Sequence, residues 1–221
     1  MLRSWRIGSL AGITINVHGT FLLLLAFIGL SALFSNGAET AAMELITIGT
    51  LFGVVVLHEL GHALAARHFG IATRDITLYP IGGVARLERM PERPLQEISI
   101  SLAGPAVNLA LAGLSYGLLL LPAGPLAGFV FARFFAINVA LAVFNLLPAF
   151  PMDGGRVLRA LLALKRDYVS ATRLAARVGR VMAVLFAILG LMPGSSSMLI
   201  VIAVFVWIAG GSEERSVIAR H

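Results

Sequence analysis

Cysteine is absent from all 221 residues, which excludes a disulfide framework, a thiolate nucleophile and any thiolate-held zinc or iron. Charge is scarce as well. Asp, Glu, Lys and Arg make up 13% of the chain, about half the share in a soluble domain. The few charges are clustered, so long stretches have nothing to present to water, and an ordinary water-soluble protein is excluded. Disordered and fibrous classes go with it, because what fills the chain is 58% AVILMFWYC and 23 glycines. Any metal must sit on His, Asp or Glu.

Six apolar stretches are long enough, or nearly so, for a helix to cross about 30 Å of hydrocarbon at about 1.5 Å per residue. They cover residues 17–34, 44–66, 98–121, 126–147, 170–193 and 196–210. The fifth is mainly apolar from about 179 and is extended back to 170, with Arg173, Arg177 and Arg180 on one helical face, placed to snorkel toward the interface. Residues 1–10 carry Arg3 and Arg6 but no apolar core of a cleavable leader, so the first run reads as a retained span. With six spans and both termini cytoplasmic, every one of the 17 basic residues except Arg133 falls on the cytoplasmic side, the asymmetry that sets membrane topology. The net charge of +6 is therefore topology, and no nucleic-acid partner is expected. Arg133 lies inside the fourth span. The expected fold is an all-α polytopic membrane protein, residues 1–221 forming one domain. Between the second and third spans, Ile76-Thr77-Leu78-Tyr79 and Val84-Ala85-Arg86-Leu87 flank Pro80-Ile81-Gly82-Gly83 and read as a short, partly re-entrant β-hairpin. Its edge, at Gly82 and Gly83, is a candidate template for an extended peptide.

The second span contains His58-Glu59-Leu60-Gly61-His62. Residues four apart share a helix face, so His58 and His62 suit one Zn2+, with Glu59 beside the open position as a base for the attacking water. The plainer alternative is a set of polar residues gluing helices together. Inside an apolar run, however, two imidazoles and a carboxylate are expensive unless bound, paired or hydrated. A catalytic zinc site needs a third ligand. Asp153 suits that role: it follows the fourth span, where Pro148, Pro151, Gly154 and Gly155 break the helix, in the same leaflet as the histidines. His18, His68 and His221 fit interfacial or structural roles better. Asn108, in Gly104-Pro105-Ala106-Val107-Asn108, and Asn138 and Asn145, on one face of the fourth span, are either helix glue or donors to a substrate carbonyl and its oxyanion.

In this order and spacing, these motifs resemble the site-2 protease family of intramembrane zinc metalloproteases over nearly the whole chain. The resemblance rests on His58 to His62, on Gly104 to Asn108 and on the segment from Asn145 to Asp153-Gly154; the Pro80 to Gly83 turn looks like the family's re-entrant element. It implies one zinc per chain held by His58, His62 and Asp153, Glu59 as base, and Asn145 with Asn108 holding substrate or oxyanion. The implied substrate is a transmembrane helix of another membrane protein, cut within the bilayer of a prokaryotic-type plasma membrane. Relatives carry PDZ or paired CBS modules, for which this chain has no room. It is expected to be either a minimal member or the core of a relative with a C-terminal cytosolic regulatory domain, the second being preferred. The competing classes are a non-proteolytic zinc-binding membrane regulator and a membrane zinc peptidase acting on prenylated tails. Intact Glu59 speaks against the first, and Asp153 in place of a downstream glutamate against the second.

Overall fold

In Ile13-Thr14-Ile15-Asn16-Val17-His18 apolar and polar residues alternate with the period of a strand, and burial alternates with them. A computed structural model describes residues 3–89, 91, 93–122, 124–194 and 196–219. It divides into two compact units, residues 1–90 with 106–140 and residues 91–105 with 141–221.

The first unit is built on a four-stranded sheet. Strands β1 (Ser4–Leu10) and β2 (Ile13–His18) form an antiparallel hairpin through Ala11 and Gly12, both at positive φ (51° and 84°), the backbone of a tight two-residue turn. Strand β2 pairs in parallel with β3 (Thr73–Tyr79), and β3 pairs antiparallel with β4 (Gly82–Leu87). The order β1-β2-β3-β4 leaves β1 and β4 as the edges. Asp75 on β3 receives two hydrogen bonds from Arg86 on β4, and these hold the Arg86 guanidinium above its ordinary pKa.

The connection from β2 to its parallel neighbour is helix α1 (Gly19–His68), 50 residues long. His18 caps it, its Nδ1 accepting from the Thr20 backbone N–H, while its ring stacks on Tyr79. Gly37, at φ 86° and ψ 174°, breaks the helical path inside α1, a conformation open to glycine and strained for other residues. The buried face of the sheet rests on the first turn and the second half of α1. Ile15, Val17 and Leu78 pack with Phe21, Phe52 and Val56, and Ile13 and Ile76 pack with Ala63.

Helices α2 (Pro94–Leu119) and α3 (Pro125–Asn145) each belong to both units, dividing after Pro105 and Ala140. In the first unit Arg133 of α3 lies over the Phe129 ring at 5.6 Å. It lines a cavity of about 320 Å3 whose other walls include Met43, Ile46, Leu114 and Phe134.

The second unit holds α4 (Asp153–Ala163), α5 (Tyr168–Leu191) and α6 (Met198–Ile218). Two buried clusters unite them: Ala149, Met152, Ala183 and Val206, and Phe150, Ala175 and Ala176. A third is ionic. Arg159 of α4, 2% exposed, donates from Nε (2.8 Å) and Nη2 to Glu97 Oε1 at the start of α2, and from Nη1 to Glu213 on α6 (2.8 Å). Its guanidinium is flanked by the rings of Phe150 and Tyr168 at 5.1 and 4.9 Å. Burial works against its charge, and the neighbouring carboxylates outweigh that, raising its pKa. Arg180 pairs with Glu214 one residue further along α6.

The protein is mostly helical, with the small sheet larger than the hairpin expected from residues 76–87. All-α is corrected to helices plus a four-stranded sheet, because β1 and β2 supply two strands ahead of the first apolar run. Four helices, α1, α2, α3 and α5, are long and apolar enough to cross a membrane. The expected runs 17–34 and 44–66 fall on either side of Gly37 in α1, except that Val17 and His18 belong to β2, and α5 begins at Tyr168, near the expected 170. Helix α6 falls short because Glu213, Glu214 and Arg215 cut its apolar run.

Candidate metal centre

Around the H-E-x-x-H sequence α1 is lined with small residues, and Gly61, Ala63 and Ala66 are all buried, which lets neighbours approach its backbone. His58 and His62, one turn apart, are 5% and 7% exposed. Their rings meet edge to face at 84°, with the two Nε2 atoms 3.1 Å apart. Two nitrogens bound tetrahedrally to one zinc at about 2.0–2.1 Å would lie roughly 3.3 Å apart, so this spacing fits a shared ion with a shift of tenths of an ångström.

His58 is held from behind. Its Nδ1 lies 2.5 Å from Asn108 Oδ1, leaving Nε2 facing the His62 ring. Asn108 Nδ2 donates to Asn138 Oδ1 (3.1 Å), and Asn138 Nδ2 donates to the Phe134 carbonyl (2.9 Å). Both asparagines are 0% exposed. Glu59, the next residue along, is partly buried. Strand β4 passes so near it that a Cβ on Gly83 would stand 2.8 Å from Glu59 Cγ and 2.9 Å from Val55 Cγ1, closer than carbon atoms tolerate.

In the second unit, Asp153 opens α4 and is 6% exposed. The positive end of the helix dipole favours a carboxylate there. The two glycines after it have a packing reason. A Cβ on Gly154 would meet the Leu146 and Leu147 carbonyl oxygens at 2.3 and 2.4 Å, and one on Gly155 would meet the Ala149 carbonyl carbon at 2.6 Å. The 146–152 segment is thus laid directly on the first turn of α4. Asn145, the last residue of α3, donates one of its two amide N–H bonds to the Leu141 carbonyl (3.0 Å). Among the described residues, His58, His62 and Asp153, all buried, form a group that could hold a metal ion.

Residues 46–125 and 123–186 match peptidase family M50. The chain belongs to that family. It is 36% identical, over 97% of its length, to the zinc metalloprotease MJ0392 of Methanocaldococcus jannaschii. It is 32% identical, over 72% of its length, to stage IV sporulation protein FB of Bacillus subtilis. The alignments cover 61% and 51% of those two relatives, so the chain spans between half and two thirds of their length. A solved structure of the site-2 protease from Methanocaldococcus jannaschii matches with a TM-score of 0.66 and 33% identity, covering 96% of this chain and 95% of that one. The cofactor of this M50 chain is zinc, and its apolar helices make it an integral membrane protein.

Among the described residues, the remaining histidines of the M50 chain are not in this group. His18 is the cap of α1, His68 meets Phe69 edge to face at the end of the same helix, and His221 and Arg220 lie outside the described residues. Sequence reasoning did not link Asn138 to His58, and it passed over Glu97 and Arg159. The signal available for all three was a polar side chain set among apolar neighbours.

The packing around Gly154 carries a direct prediction. The atoms a methyl group would strike are backbone oxygens, which cannot swing aside as a flexible side chain would. Gly154→Ala is expected to weaken zinc binding at least about 10-fold and to destabilise the fold by about 1–3 kcal/mol, read by chelator competition and by thermal unfolding in detergent.

Proposed function

We propose that the chain is an intramembrane zinc endopeptidase that hydrolyses peptide bonds within transmembrane segments of other membrane proteins, residues 1–221 acting as one metalloprotease domain. The observation that carries this reading is a buried pair of imidazoles, Nε2 atoms 3.1 Å apart, with a carboxylate between them in sequence on a helix apolar enough to span a bilayer. His58, His62 and Asp153 would hold one zinc ion. When bound, zinc polarises the scissile carbonyl and makes a neighbouring water more acidic.

The chain's own residues do the rest. The Glu59 carboxylate accepts a proton from water as the water oxygen bonds to the carbonyl carbon, and it returns that proton to the amide nitrogen as the C–N bond breaks. Asn145, with a second N–H to give, donates to the carbonyl oxygen, where negative charge develops. Asn108, its amide oxygen and nitrogen both engaged, keeps one N–H for the same purpose. A helical substrate has its carbonyls hydrogen-bonded and shielded, so it must unwind. The free edge of β4, beginning at Gly82 and Gly83, offers a backbone ladder for the extended segment next to Glu59. A re-entrant setting of β3 and β4 would put that ladder at membrane depth.

In the bilayer, α1 folds at Gly37 into two crossings; α2, α3, α5 and α6 supply four more. Both termini and nearly all basic residues then face the cytoplasm of a prokaryotic-type cell. The lipid bilayer and a transmembrane protein substrate are the expected partners, with a C-terminal cytosolic regulatory domain as a further one.

The test is cleavage of a tagged single-span membrane protein in liposomes, with bound zinc measured alongside. Wild type is expected to hold one zinc per chain and to cleave, and Asp153→Ala to lose most of both. Unchanged zinc in Asp153→Ala would remove it as a ligand. Zinc without cleavage across a broad panel of single-span substrates would favour a non-proteolytic zinc-binding regulator.

A further inference from the structure

We propose that Asn138, two hydrogen bonds away from the His58 imidazole, is a positioning residue that dictates which nitrogen of that ring carries the proton. The inference deepens the proposed function, since it rests on His58 being a zinc ligand.

The argument starts at a group that cannot change its role. The Phe134 carbonyl is a backbone acceptor in α3 and has no proton to give. Asn138, with its side chain 2.9 Å from that oxygen, must therefore point its NH2 group at Phe134, and its own oxygen turns the other way. That oxygen faces the Asn108 side chain at 3.1 Å, so Asn108 must present its NH2 group there and its oxygen to His58. An amide oxygen 2.5 Å from Nδ1 requires a proton on Nδ1. A neutral imidazole carries one proton, so Nε2 is left with its lone pair, and Nε2 is the atom that faces His62 Nε2.

Reversing any link would bring two acceptors or two donors together at hydrogen-bond distance. Both amides are 0% exposed, so water cannot relieve that conflict. The polarity of the chain is thus anchored in one helix carbonyl and passed along two asparagines to the imidazole. Outer partners of metal-bound histidines commonly set tautomer and ring orientation; the second asparagine matters here because an amide, unlike a carboxylate, can present either end.

That asymmetry supplies the test. The full chain in detergent micelles, metal-free and 15N-labelled at histidine, is examined at a pH where imidazole is neutral, the His58 signals being identified by their loss in His58→Ala. Wild type is expected to show His58 as the Nδ1–H tautomer alone. Asn138→Leu should give a mixture and weaken zinc binding about 10-fold, toward the lower end of the loss seen for outer partners.

The double variant Asn108→Asp/Asn138→Leu should return His58 to the single tautomer, because a carboxylate accepts from Nδ1 whichever way it turns. A packing role for Asn138 would not be rescued by a change at residue 108. If Asn138→Leu does not fold, Asn138→Ser and the double variant provide the same comparison. An Nδ1–H tautomer unchanged in Asn138→Leu or Asn138→Ser, or wild-type His58 protonated on Nε2, would overturn the proposal. No step depends on cleavage, so an inactive protein with the expected tautomers would count against the protease reading alone.

Discussion

Glu59→Gln is expected to lower cleavage about 100- to 10,000-fold while leaving one zinc per chain. The substitution keeps size and shape and removes only the ability to take up a proton. Its specificity follows from position: His58 and His62 share a face of α1, while Glu59 is rotated away from it by one residue and touches β4, where the Gly83 Cα hydrogens face its Cγ. A carboxamide fits that crevice as well as a carboxylate, so stability should change little. Bound zinc, thermal unfolding and cleavage measured on one preparation separate the possibilities. Zinc retained with activity lost identifies Glu59 as the base. Zinc and activity lost together would make it a ligand, and full activity would place the base elsewhere.

Much of this was legible before any coordinates, for reasons that differ from element to element. The candidate metal-holding residues stand out because an apolar run makes each polar group conspicuous: His58, Glu59 and His62 interrupt one of the most apolar stretches of the chain. The glycines after Asp153, expected to break a helix, do not; both lie in the first turn of α4, where close backbone packing leaves no room for a Cβ. The sheet was read only by half. Strands β3 and β4 are marked by a Pro-Ile-Gly-Gly turn, whereas β2 abuts the apolar start of α1 without a break, so its period of two is easily absorbed into a helical run. In α1 the two predicted runs lie on either side of Gly37, where the helical path breaks. What could not be read was partnership across distance. Asn108 and Asn138 are thirty residues apart, and nothing local says that one amide orients the other, or that Arg159 reaches Glu97 and Glu213. Such pairings depend on how helices are laid beside each other, which apolar surfaces of nearly uniform character leave undetermined.

The ionic cluster around Arg159 should have the largest effect on stability. Arg159→Leu is expected to destabilise the protein by about 3–5 kcal/mol, the usual loss when one partner of a buried ion pair is removed. For a chain of this size that lowers the unfolding midpoint by roughly 6–20 °C. The loss comes less from the missing hydrogen bonds than from what is left behind. Glu97 is 2% exposed, and burial already pushes its carboxyl above the ordinary range against the pull of Arg159; without the guanidinium it is left buried and poorly paired, and its Oε2 already lacks a hydrogen bond. Glu213 is more exposed and can turn to water. Glu97→Leu alone should cost less than Arg159→Leu, because Arg159 retains Glu213 and the rings of Phe150 and Tyr168. Joining the two substitutions should recover most of the loss, since an apolar pair of similar volume replaces a charged one. Thermal unfolding in detergent of the two single variants and the double variant tests this. Effects that merely add would show that Arg159 and Glu97 do not stabilise each other, and that the guanidinium is held mainly by its aromatic neighbours.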